Sequence, residues 1–318
     1  MKRDKKIIKK LLIPLEKFLI LQFLWLVYKY VIQTSKSTIY PKLRDIFIPS
    51  LESVINKLKI VREDNSFANE FKIVENFLDK IGPQNFYLVD IGASNGVNQS
   101  STLKLLINHN YSGALFEFDS KNFAMLAFIY NSRNDISLTK TKITPENIVE
   151  LMDGLNVPKA FDFLNIDIDS YDLSILRTLL ADGFKPNLIS LEINEIFPPH
   201  LEFEVLFDVS QIWIGDHFFG CSIASATKAL NNFGYKLAHI EYNNAFFINE
   251  DLQNKFDLTR TIFEMYNQGY RDKPDRKSKF PNNQDVECLL DFSADAGVQK
   301  IRDLFRKYDG KYTLNKAI

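Results

Sequence analysis

The chain has 318 residues, 46% of them hydrophobic, which is enough for one sizeable core with additions at either end. Its 39 basic and 40 acidic residues leave a formal net charge of -1, excluding the basic domain that nucleic-acid recognition calls for. Only two cysteines occur, Cys221 and Cys288, so a disulfide framework is excluded; neither stands at zinc-ligand spacing from another Cys or a His, and a reducing, cytoplasmic compartment is expected.

The first residues are basic: Lys2, Arg3, Lys5, Lys6, Lys9 and Lys10 stand against Asp4 alone. An apolar run from Phe18 to Tyr28 follows, interrupted by Gln22. A bilayer span takes roughly 20 predominantly apolar residues, so this run is too short. No small-residue cleavage site follows, as it would in a signal peptide. Residues 1–35 suit peripheral contact with the inner face of an anionic membrane, or packing on the domain or on a partner chain, a homo-oligomer included. Three regions are expected: a helical extension over 1–65, an α/β domain over 66–250, and a helical extension over 251–318.

Apolar residues at Phe71, Val74, Phe77, Leu78 and Ile81 have helical spacing, and Gly82-Pro83 stops that helix. Strands and helices then alternate. Phe86 to Ile91 is a strand, Ser100 to Asn108 a helix, Gly113 to Phe118 a strand and Asn122 to Asn131 a helix. Ile136 to Thr141 is a third strand, and Thr144-Pro145 opens a helix as N-cap and first helical residue. Phe161 to Ile168 is a strand, Leu173 to Asp182 a helix and Leu188 to Ile193 a fifth strand. Residues 195–220 are aromatic- and Pro-rich and look like an insertion. Ile223 to Phe233 is a helix ended by Gly234. Tyr235 to Glu241 and Ala245 to Ile248 form a hairpin about Tyr242-Asn243-Asn244. The expected fold is α/β: a doubly wound, mostly parallel seven-stranded sheet with one antiparallel strand, the layout of class I methyltransferases.

The first strand runs into Asp90, Gly92, Ala93, Ser94, Asn95 and Gly96. Gly92 permits a sharp turn and a close backbone approach, and Gly96 lets the loop enter the next helix. The loop reads GxxxG rather than the dinucleotide GxGxxG, and no GxxxxGK[ST] occurs, so a nicotinamide oxidoreductase or a P-loop enzyme is disfavoured. An acid at the strand end suits a cationic ligand, and Asp90 is placed to attract the ammonium of S-adenosylmethionine. Glu117, with Asp119 as alternate, ends the second strand and suits ribose hydroxyls; it follows Asp90 at a spacing near the roughly 20 residues expected.

With these pieces in hand, the chain resembles the FkbM-like methyltransferases from about Tyr87 to Asn249. The matching pieces are Val89 to Gly96, Thr144 to Ile148, Phe161 to Asp169, Ile189 to Asn194, Gly220 to Ile223 and Asn244 to Phe247. The resemblance implies O-methylation of a small-molecule, glycan or lipid-linked acceptor. The family often has Gly after the fourth-strand acids, where this chain has Ser170-Tyr171. Residues two apart on a strand share a face, so Asp167 with Asp169 and Glu192 with Asn194 are expected to face one cavity. Those four offer hard oxygen ligands suited to Mg²⁺, or else cap helices and loops. Asp169, Asp172 and His200 are the candidate catalytic residues, with His217 a further one. The competing possibility is a module that keeps the fold without chemistry.

Overall fold

The computed structural model describes residues 64–317, so the basic, apolar segment lies outside the described residues. Helix α1 (Glu70–Ile81) buries Phe71, Val74, Leu78 and Ile81 along one stripe, and Gly82 ends it at a φ of +75°. Then follow β1 (Tyr87–Ile91), α2 (Leu103–Asn108), β2 (Ser112–Glu117), α3 (Ser120–Tyr130), β3 (Ile136–Lys140), α4 (Ile148–Gly154) and β4 (Ala160–Ile166). After these come α5 (Asp172–Ala181), β5 (Lys185–Glu192), β6 (Leu201–Val205), α6 (Ile223–Asn231), β7 (Tyr235–Glu241) and β8 (Asn244–Asn249). Short helical turns lead on to α7 (Ala294–Leu304) and β9 (Tyr312–Lys316).

Seven strands form one sheet in the order β3-β2-β1-β4-β5-β8-β7. Every pairing from β3 to β5 is parallel, whereas β8 runs antiparallel to both β5 and β7. That strand order, with a single reversed strand entering from a terminal hairpin, is the class I methyltransferase sheet. The parallel strands are covered on both faces, which is why they read as unbroken apolar runs. Leu88, Val89, Ile91, Phe163, Leu164 and Ile166 are all fully buried. Each such side chain contributes roughly 1.5–3 kcal/mol by leaving water.

Two helices start later than their sequence suggests. Helix α2 begins at Leu103 rather than Ser100, so the loop from Gly92 to Thr102 is long and Gly96 does not open a helix. Helix α4 begins at Ile148, because Thr144 sits in a preceding turn instead of capping. There the Asn147 side chain accepts from the Thr144 amide at 2.8 Å and donates to the Lys142 carbonyl at 2.9 Å.

The insertion contains a strand. Its β6 pairs antiparallel with β9, so residues 251–317 contribute a strand as well as helices. Phe197, Phe203 and Phe218 pack there with Phe305, forming a second small core. Phe218 stacks on Tyr308 with ring centroids 3.8 Å apart.

Asp162, fully buried in β4, holds the opposite end of the sheet. Its carboxylate accepts from the amides of Gln84, Asn85 and Phe86 and from Asn187 Nδ2, at 2.7 to 3.2 Å. Asp162→Ala is expected to lower stability by about 2 kcal/mol in chemical denaturation, because several donors lose one acceptor together. A loss under about 0.5 kcal/mol would show that water satisfies those donors equally well.

Candidate active site

At the carboxyl ends of β1, β2 and β4 the sheet opens onto a cavity of about 390 Å³. This is where ligands lie in open α/β sheets. Asp90 stands at its floor, paired in register with Asn165 of the neighbouring strand. Asn165 Nδ2 donates to Asp90 Oδ1 at 2.9 Å, and Thr102 Oγ1 donates to Oδ2 at 2.6 Å. Burial raises the Asp90 carboxyl above its ordinary range, the two donors pull it back, and nearby Glu117 raises it further. A carboxylate has about four acceptor positions, so Asp90 can still accept from a ligand.

Gly92 turns the chain over the fourth strand with φ +91°. A Cβ there would lie 1.7 Å from the Asp167 carbonyl oxygen, so no other residue fits. The amides of Gly92 and Ala93 both donate to the Phe116 carbonyl at 3.0 Å. Ala93 and Ser94 line the cavity with Gly92, as does the later stretch from Asn98 to Ser101. Asn95 and Gly96, expected at the cofactor, do not line it. Asn95 Oδ1 accepts from the amides of Val97 and Asn98, and Gly96 packs against Leu126 and Tyr130, where a Cβ would meet Leu126 at 2.6 Å. Glu117 lines the cavity at the end of β2. Its alternate, Asp119, instead caps α3 by accepting from the amides of Lys121 and Asn122.

Beyond β4, Asp167 and Asp169 also line the cavity. The chain turns after β4 with Asp169 in the left-handed region, at φ +53°. Asp172 makes this conformation tolerable: its Oδ1 accepts from the Ile168 amide at 2.7 Å and its Oδ2 from the Ser170 amide at 2.9 Å. Burial pushes the Asp172 carboxyl up to about 6 against the pull of those amides. Asp172 lines neither this cavity nor the one described next; its carboxylate holds the loop after β4 and is not placed as a base. His200 lines neither this cavity nor the one described next; it sits at the start of β6, where its carbonyl accepts from the Ala317 amide.

Oxygens of Asp167, Asp169 and Glu192 come within 4.8 Å of one another. Burial, then the neighbouring carboxylates, pushes the Asp167 and Glu192 carboxyls well above the usual range. Asn194, expected with these acids, uses its amide to hold the carbonyls of His217 and Phe219 at 2.9 and 3.0 Å. Its Oδ1 is buried with no donor among the described residues.

A second cavity, of about 460 Å³, lies beside the first, and Asp169 and Trp213 wall both. The insertion roofs them. Lys142 Nζ donates to the carbonyls of Val209 and Gln211, at 2.5 and 2.8 Å. Lys311 pairs with Asp208, and Lys307 with Asp216, each at 3.0 Å. Thr102, Asn165, Lys142 and Glu195 are the residues that sequence reasoning missed. Asn165 had a signal, since it continues the two-residue period of Asp167 and Asp169 one step back; the others are brought in by tertiary contacts alone.

No family model matches the chain, and no curated protein matches it. Solved structures similar to it include the N-terminal domain of EvdMO1 in the presence of SAH and D-fucose, at 14% identity and a TM-score of 0.38 over 59% of this chain and 84% of that one. The glycopeptide N-methyltransferase MtfA complexed with SAM has 13% identity and a TM-score of 0.35, over 58% of this chain and 96% of that one. The cyclase SpnF has 11% identity and a TM-score of 0.34, over 84% and 93%. The fold assignment rests on the strand order itself.

Gly92→Ala is expected to cost about 3 kcal/mol or more, since strain and a backbone clash act together. Gly183→Ala makes the control: its φ is +87° and nothing lies within 4 Å of the added Cβ. That change should cost only the backbone strain, about 1 kcal/mol. Equal losses in thermal unfolding would contradict the proposed close approach.

Proposed function

We propose that this chain is a S-adenosylmethionine-dependent O-methyltransferase acting on a hydroxyl of a glycan or lipid-linked intermediate. The carrying observation is the first cavity, where Asp90 and Glu117 stand on adjacent strands beside a glycine turn that a single Cβ would block. Its volume is in the range of sites for drug-sized ligands. Its buried acids suit the ammonium and ribose of the cofactor, and no cluster of basic groups suits a pyrophosphate. When bound, S-adenosylmethionine supplies an electrophilic methyl group on a sulfonium.

The chain's own residues do the rest. Asp90, steadied by Thr102 and Asn165, faces the ammonium, and Glu117 accepts from the ribose hydroxyls. Asp169, on the wall shared by both cavities, takes the proton from the acceptor hydroxyl; burial raises its carboxyl toward a value suited to that work. The insertion excludes water from above. The FkbM-like motifs support a hydroxyl acceptor, and the apolar, basic N-terminal sequence supports a lipid-linked one.

The donor chemistry of Asp167, Asp169 and Glu192 also fits a hard divalent cation such as Mg²⁺, and Glu192 Oε2 is buried without a donor. Such an ion would lower the pKa of an acceptor hydroxyl.

Isothermal titration with S-adenosylhomocysteine should give micromolar affinity, about 8 kcal/mol of binding. Asp90→Ala should weaken it at least about 100-fold, or roughly 2.7 kcal/mol, by removing the ammonium's partner. Absence of binding at millimolar ligand, or full affinity in the variant, overturns this reading. For the cation, titrating Mn²⁺ into EDTA-treated protein should show one site that Asp167→Asn removes; no heat and no electron paramagnetic signal change would eliminate it.

A further inference from the structure

We propose that the second cavity is the acceptor site and that it selects an acceptor carrying an ammonium group, anchored at Glu195. The proposal rests on the methyltransferase reading of the first cavity and adds the charge of the molecule that is methylated.

Glu195 is 3% exposed and lines the second cavity. Asn283 Nδ2 donates to its Oε1 at 2.6 Å, while its Oε2 is buried with no donor among the described residues. The Glu195 carboxylate is therefore oriented by an asparagine and keeps one oxygen unpaired among the described residues. A buried carboxylate needs a compensating donor, and a cationic one compensates both hydrogen bonding and charge.

The rest of the lining points the same way. Asp169 adds acid, while Asp216 and Asp285 are already paired with Lys307 and His217. The lining cations are already engaged: His217 Nε2 is 2.9 Å from Asp285, and Lys279 is 3.9 Å from Asp275 with its Nζ 5.2 Å above the rings of Phe67 and Tyr242. Trp213, Phe219 and Phe280 supply aromatic faces, which attract an organic cation and repel an anion. The ammonium is the anchor; the hydroxyl that is methylated lies toward Asp169, where the two cavities meet.

Three forms of one hexose ring isolate the charge: glucosamine, glucose and glucuronate, each titrated at neutral pH into EDTA-treated full chain saturated with S-adenosylhomocysteine. Glucosamine is expected to bind at least 10-fold tighter than glucose, and glucuronate weakest. Glu195→Gln should bring glucosamine to within 2-fold of glucose while S-adenosylhomocysteine affinity stays unchanged. Glucuronate binding as tightly as glucosamine, no preference for the amine in the wild-type chain, or an unaltered preference in the variant each overturns the proposal. Failure to take up S-adenosylhomocysteine in the first place is a separate result and overturns the reading beneath it.

Discussion

Where the loop after β1 passes the Asp167 carbonyl, the two segments are so close that a Cβ on Gly92 would lie 1.7 Å from that oxygen. This contact fixes the spacing of two strand ends, and much of the site follows from it. With Gly92 and Ala93 both donating to the Phe116 carbonyl, the loop is also fastened to β2. The stretch from Asn98 to Ser101 is then laid down as a wall, and Thr102 arrives beside Asp90. A longer side chain at one position would move three strand ends and two acids together.

Two pairs of buried acids differ in the donors they receive. Asp162 receives three backbone amides and a side-chain amide, and Asp172 receives two backbone amides. Those carboxylates build loops. Glu192 and Glu195 each keep an oxygen with no donor, although both are almost wholly buried. Native proteins satisfy nearly all buried polar groups, and these two exceptions both belong to the lining of the second cavity. Asp119 caps α3 through two backbone amides, while Glu117, two residues earlier, accepts the Asp119 amide and lines the cavity.

The sheet was legible in the sequence because its parallel strands are continuous apolar runs separated by helical spacing, and because the terminal hairpin about Tyr242 fixes the reversed strand. The first cavity was half legible. A strand-end acid and a glycine turn are local features, so Asp90, Gly92 and Glu117 could be read from position alone. Gly96 is expected from the sequence to lead the loop into the next helix, yet it packs on Leu126 and Tyr130, contacts that no local pattern encodes. Asp172 looked like a base because its two bonds are made to its own loop, in a turn whose shape depends on Asp169 being left-handed. The partners of Glu195 lie far along the chain, and Asn283 is brought to it only by tertiary packing.

The roof over the site joins segments distant in sequence, since β6 from the insertion is zipped to β9 and the aromatic cluster needs Phe305, Tyr308 and Tyr312 beside Phe203 and Phe218. Contacts of that separation form late, because a long loop must be closed before they reward the chain. During synthesis the seven-stranded sheet can therefore be complete while its ligand face still lies open on the ribosome. The vestibule seals only once the chain past Lys316 has emerged.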